Sequence, residues 1–152
     1  MKKVILLLVL VIIAICGWFY FDNQKNPLET TQDILPPQIT YINATSDLIE
    51  VELPFPGAVT GKEFGVLGKA RGYWYFEGSF PIELLDKDGK LLATSIATAQ
   101  TDWMTTEFVP FKAEIKAPID YIDPATLVLH KDNPSGLPEN DASISFPITV
   151  EY

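Results

Sequence analysis

Ser79-Phe80-Pro81-Ile82-Glu83-Leu84-Leu85-Asp86-Lys87-Asp88-Gly89-Lys90-Leu91-Leu92-Ala93-Thr94-Ser95-Ile96-Ala97 reads as a β-hairpin, and this stretch decides the fold class. Phe80, Ile82 and Leu84 recur with a period of two, the mark of a half-buried strand. Asp88-Gly89 is the expected centre of a two-residue type I′ turn. That centre sets Leu84 opposite Ala93, Ile82 opposite Ser95 and Phe80 opposite Ala97. Large apolar residues on one strand then meet small ones on the next. A slip of one residue would turn a whole apolar face outward, so the pattern selects this register.

The same alternation extends outward in both directions. Upstream, Trp74 and Phe76 share the parity of Phe80, Ile82 and Leu84, while Tyr73, Tyr75, Glu77, Ser79 and Glu83 take the other. Gly78 falls on the apolar parity and reads as a bulge. Ile49, Val51 and Leu53 alternate with Glu50 and Glu52. Val109, Phe111, Ala113 and Ile115 alternate with Pro110, Lys112, Glu114 and Lys116, and Ile144, Phe146, Ile148 and Val150 repeat the pattern near the end. Further strands are expected near Val66–Ala70 and Thr126–His130. Loops are expected at Pro54–Gly57, Thr101–Thr106, Pro118–Pro124 and Asn133–Asp141. About seven short strands separated by turn signals, with no convincing helical period, suit an all-β immunoglobulin-like antiparallel β-sandwich spanning residues 39–152. A small β-barrel is the rival architecture.

The first residues carry a different pattern. Met1-Lys2-Lys3 precedes an uncharged apolar run, Val4 to Phe21, that closes with Trp18-Phe19-Tyr20-Phe21. Eighteen residues make a helix about 27 Å long, close to the roughly 30 Å hydrocarbon core of a bilayer. A cleaved signal peptide has a shorter apolar stretch ending in small residues, whereas bulky aromatics suit the membrane interface. Residues 1–21 are therefore expected to be one uncleaved transmembrane signal anchor. The two lysines hold the N-terminus in the cytoplasm, and the remainder faces outward from the cell membrane. Ile13-Ala14-Ile15-Cys16 is only a loose lipoprotein box, because Ile15 is not small. Residues 22–38, polar and proline-bearing, read as a flexible linker.

Nine of the 11 basic residues and all 20 acidic ones lie beyond the span, so that part carries a net charge of −11. Such a charge repels nucleic acid and anionic headgroups, and no nucleic-acid partner is expected. Cys16, the only cysteine, lies in the apolar run, so the exported domain holds no disulfide. His130 is the only histidine, and without a second His or a Cys a zinc site is not expected. Asp86-Lys87-Asp88-Gly89-Lys90 lacks the distal ligands of a calcium loop and reads as a turn. No Gly-x-Ser-x-Gly or phosphate-binding loop occurs. No cofactor, small-molecule substrate or enzymatic activity is expected.

Candidate interaction residues are Tyr73, Tyr75, Asp102, Trp103 and Met104. The two tyrosines share the outward parity and could form an aromatic patch. Trp103 sits among polar residues, outside any strand pattern. It is open to two roles: an exposed anchor for a partner, or a plug closing one end of the sandwich.

Several segments together resemble the Gmad2 domain, an immunoglobulin-like domain of bacterial spore-germination and related envelope proteins. They are Pro54-Phe55-Pro56-Gly57-Ala58-Val59, Gly68-Lys69-Ala70-Arg71-Gly72, Trp74-Tyr75-Phe76-Glu77-Gly78-Ser79-Phe80-Pro81, Asp86-Lys87-Asp88-Gly89, Thr101-Asp102-Trp103-Met104, Pro110-Phe111 and the strand Ile144–Val150. The resemblance covers about residues 47–151. It implies a seven-stranded sandwich at the cell envelope, without enzyme activity or an assigned ligand site. No GerMN-type domain accompanies it here, which favours a general envelope role over germination.

The expected function is a membrane-anchored extracytoplasmic module for protein–protein interaction or scaffolding, with an envelope protein as partner. The alternative is an envelope protease-inhibitor or stress-response module acting through an exposed loop such as Asn133–Pro138.

Overall fold

The computed structural model describes residues 38–152. The expected span 4–21 and the linker 22–38, Gln38 apart, lie outside the described residues. Nine strands occur among the described residues: β1 (Thr40–Ile42), β2 (Ile49–Leu53), β3 (Val59–Thr60), β4 (Glu63–Arg71), β5 (Ser79–Asp86), β6 (Leu91–Ala99), β7 (Phe108–Lys116), β8 (Asp123–His130) and β9 (Ser143–Val150). Seven of them have five residues or more; β1 and β3 are short additions.

The β5–β6 hairpin has the expected register: Leu84 pairs Ala93, Ile82 pairs Ser95 and Phe80 pairs Ala97. Its turn differs from the expected one. Gly89 donates to the Asp86 carbonyl at 3.0 Å, Asp86 N–H donates to the Lys90 carbonyl at 2.8 Å, and only Gly89 has a positive φ, 80°. The loop is therefore Lys87-Asp88-Gly89, a three-residue turn closed by a left-handed glycine. Leu85 pairs Leu91 while Leu84 pairs Ala93, so Leu92 is an extra residue on β6. The bulge at Leu92 cancels the longer loop and restores the register. The Asp86 carboxylate sets the turn by accepting from the N–H groups of Asp88 and Lys90, both at 2.8 Å.

Upstream of the hairpin the expected long strand is broken. Gly72–Trp74 is a short 3-10 turn. Phe76 and Ser79 exchange backbone hydrogen bonds at 3.0 and 3.1 Å around Glu77 and Gly78, with φ of 49° and 77°. Two positive φ values make this a type I′ turn. Gly78 is thus a turn residue, not a bulge.

All strands join one hydrogen-bonded sheet in the order β1-β9-β8-β5-β6-β7-β4-β2, with β3 parallel on β9. The other pairings are antiparallel. The sheet curls without closing. The β6–β7 seam holds only two ladder pairs, Thr98–Lys112 and Ala99–Phe111. Small residues beside it make room for large ones: Phe80 pairs Ala97 and Phe111 pairs Ala99, and the two rings meet edge-on at 5.0 Å. The apolar parities of β5, β7, β8 and β9 all enter one core with Ile49, Val66 and Ala70. Burying each of its large side chains is worth about 1.5–3 kcal/mol. Leu53, expected with Ile49 and Val51 on the core face, is exposed because β2 shifts register between Val51 and Leu53. β8 begins at Asp123, inside the expected Pro118–Pro124 loop.

The candidate interaction surface

The antiparallel pairings bring four connections to one end of the sheet. Arg71 pairs Phe108, Ile49 pairs Ala70, Ser79 pairs Thr98, and Ser143 pairs both His130 and Ile42. Segments 43–48, 72–78, 100–107 and 131–142 therefore lie together as a loop end.

Arg71 ties two of its segments, 43–48 and 100–107, to the end of β4. Its backbone N–H donates to the Leu48 carbonyl at 2.8 Å, Nε donates to the Asp47 carbonyl at 2.9 Å, and Nη1 donates to the Thr106 carbonyl at 3.3 Å. The guanidinium also lies 4.1 Å from the Phe108 ring centroid and pairs Glu107 at 3.6 Å. Two glycines admit the 100–107 segment. A Cβ on Gly72 would stand 1.9 Å from the Thr105 carbonyl oxygen and 2.3 Å from that of Trp103. A Cβ on Gly78 would stand 3.2 Å from Cδ1 of the Trp103 ring. The last segment is joined by Asp132 N–H, which donates to the Trp74 carbonyl at 3.0 Å, and by Asn43 Nδ2, which donates to the Asp141 carbonyl at 2.9 Å.

The five expected surface residues divide. Tyr73 is exposed at 51% and Met104 at 76%, and Asp102 is exposed, its carboxylate accepting from Met104 N–H at 3.0 Å. Trp103 is half-buried against the core with its ring over Gly78, which is the plug arrangement. Tyr75 is buried, contrary to its outward parity, because the 3-10 turn rotates it inward. Its hydroxyl donates to the Val109 carbonyl at 2.7 Å and its ring meets Phe80 at 5.2 Å. Burial pushes its phenol well above the usual tyrosine range. Tyr73 and Tyr75 therefore form no common patch.

Phe76 and Leu137 are exposed at this end instead. Parity assigned Phe76 to the core; it leaves the strand because Glu77 and Gly78 turn the chain there. Trp74 is fully buried as expected, and its Nε1 is the buried side-chain nitrogen without a hydrogen-bond partner among the described residues. His130 closes β8 at the rim of this end, half-exposed, with Nε2 3.1 Å from a Glu83 carboxylate oxygen. Among the described residues no cluster of His, Cys, Asp or Glu is arranged to hold a metal ion, and no helix is long and apolar enough to cross a membrane.

Several residues that build this loop end are among those that carry the sequence resemblance: Arg71, Gly72, Trp74, Gly78 and Trp103. The profile of the Gmad2 family, the immunoglobulin-like domain of bacterial spore germination, matches residues 48–136. The chain belongs to the Gmad2 family. Comparison with curated proteins and with solved structures returns no significant match. The matched stretch of the Gmad2 domain runs from the start of β2 into the 131–142 segment. It ends before β9, so the last strand, which the sequence reading included in the resemblance, lies beyond it.

Proposed function

We propose that this protein is a non-enzymatic interaction or scaffolding module of the bacterial cell envelope, held to the membrane by residues 4–21 with the Gmad2 domain outside. The observation that carries the reading is the loop end. Tyr73, Phe76 and Met104 are exposed on segments braced by Arg71, Gly72 and Trp103, and Leu137 on a segment joined to them through Asp132 and Asp141. Rigid presentation of aromatic and Met side chains lowers the ordering cost of binding a protein. The anchor rests on the apolar run and its flanking lysines. A role in spore germination is the narrower form of the reading, supported by the family's description alone.

The test uses the full chain in its own host, with a photo-crosslinking residue at Met104 or, as control, at Asp88 on the opposite end. The expected result is a discrete partner captured from position 104 only. Equal capture from both positions, or an unchanged partner set and location after deletion of residues 1–21, overturns the reading.

One observation favours the inhibitor alternative. The exposed 133–141 segment is cross-braced: Asn133 Nδ2 donates to the Leu137 carbonyl at 2.8 Å and to the Asp141 carboxylate at 2.7 Å, and Asn140 Nδ2 donates to Ser135 Oγ at 3.0 Å. A rigid loop presenting Leu137 between Gly136 and Pro138 is a suitable shape for a protease cleft. Tight inhibition of a host envelope protease, lost in Leu137→Ala, would establish it; rapid degradation of the loop would remove it.

A further inference from the structure

We propose that the loop end, acidic with apolar side chains exposed among its carboxylates, docks a basic segment of its protein partner, one in which Lys or Arg side chains alternate with apolar ones. This rests on the interaction-module reading and names the partner's chemistry.

Charge is distributed unevenly between the two ends of the domain. Connections 43–48, 72–78, 100–107 and 131–142 carry seven carboxylates and one lysine, Lys131. At the opposite end, 61–62, 87–90, 117–122 and 151–152 carry three of each sign. The cations near the loop end are already engaged. Arg71 is held by carbonyls, Glu107 and the Phe108 ring, and Lys131 Nζ donates to the Asn140 carbonyl at 3.3 Å. Among the described residues, no ion pair reaches Glu77, Asp102, Asp132 or Glu139.

The same segments expose Tyr73, Phe76, Met104 and Leu137. The two features interleave along the chain: Tyr73 and Phe76 precede Glu77, Asp102 precedes Met104, and Leu137 precedes Glu139. A second copy of this chain would bring like charges together at this end. A bare cation would leave the apolar side chains in water. An alternating basic and apolar segment satisfies both, with ammonium or guanidinium groups over the carboxylates and apolar groups against the aromatic and Met side chains.

The test titrates the full chain, in detergent micelles, with a short synthetic peptide alternating Lys with Leu, and with its Glu-for-Lys counterpart. Calorimetry gives affinity and amide chemical shifts give location. The Lys peptide is expected to bind with shifts confined to the four loop-end connections. Combining Glu77→Gln, Asp102→Asn, Asp132→Asn and Glu139→Gln should weaken it about tenfold or more, while Asp88→Asn, Asp120→Asn and Glu151→Gln together change it less than about twofold. Tyr73→Ala with Met104→Ala should weaken binding in high salt as well as low, because apolar contacts are not screened. Equal weakening by both charge sets, shifts spread over the whole surface, or equally tight binding of the Glu peptide overturns the inference. If crosslinking at Met104 still captures a partner whose binding ignores the charge changes, the interaction-module reading stands and this inference alone falls.

Discussion

Tyr75→Phe isolates one buried hydroxyl and makes a prediction that changes sign with pH. The ring is buried against Phe80, and its hydroxyl donates to the Val109 carbonyl at 2.7 Å. Removing the hydroxyl leaves the ring in place and deletes one hydrogen bond, worth about 1 kcal/mol net at neutral pH. The alkaline limb runs the other way. Burial raises the folded-state pKa of Tyr75 above the usual value of 10.0. The unfolded chain therefore releases this proton at a pH where the native state still holds it. Native stability from this group is complete below pH 10 and declines above it, by roughly 1.4 kcal/mol per pH unit. Phenylalanine has no proton to lose. The variant should be about 1 kcal/mol less stable at pH 7 and should equal or exceed the wild type near about pH 11. Urea unfolding of the full chain, followed by tryptophan fluorescence at pH 7, 9 and 11, measures the difference; the remaining tyrosines are common to both proteins and cancel. A stability difference that stays constant across this range would refute the assignment of Tyr75 as the buried, neutral donor.

Gly72→Ala should destabilise by about 2 kcal/mol or more, because the new methyl has no space between the Thr105 and Trp103 carbonyls, and a lowered unfolding temperature reports it. Trp103→Ala should cost about 2 kcal/mol, less than the roughly 3–5 kcal/mol expected for the fully buried Trp74→Ala, and parallel thermal melts rank the two. Arg71→Lys should loosen the 100–107 segment although charge is conserved, since an ammonium cannot lie flat on Phe108 while reaching both carbonyls; faster amide exchange near Thr106 is the expected sign.

Alternation was legible wherever a strand runs straight between two partners. β7 buries Val109, Phe111, Ala113 and Ile115 and exposes the residues between them, as its pattern requires. The β5–β6 register was legible for a less direct reason: the three-residue loop and the Leu92 bulge each shift pairing by one, and the shifts cancel. Parity failed at 72–78, because a period of two holds only while the backbone stays extended. One 3-10 turn was enough to bury Tyr75 and leave Phe76 outward, while Tyr73 kept the outward position its parity gave it. Of the candidate surface, Tyr73, Asp102 and Met104 were legible as polar-flanked or outward residues. Phe76, Leu137 and the bracing role of Arg71 were not, since they depend on which loops the sheet order brings together.

The three residue pairs of β1 have a mechanical meaning. A pull on the chain ahead of Gln38 reaches the domain through Thr40–Ile42, which is held to β9 by Thr40–Ser145, Tyr41–Ile144 and Ile42–Ser143. β3 grips the same strand separately, through Val59–Thr149 and Thr60–Val150. Load can therefore peel β1 away as a sacrificial clasp while β3 and the core strands stay in place. Peeling releases the three residues of β1 before load reaches Asn43, whose side chain holds the Asp141 carbonyl, so the loop end keeps its shape through the first extension.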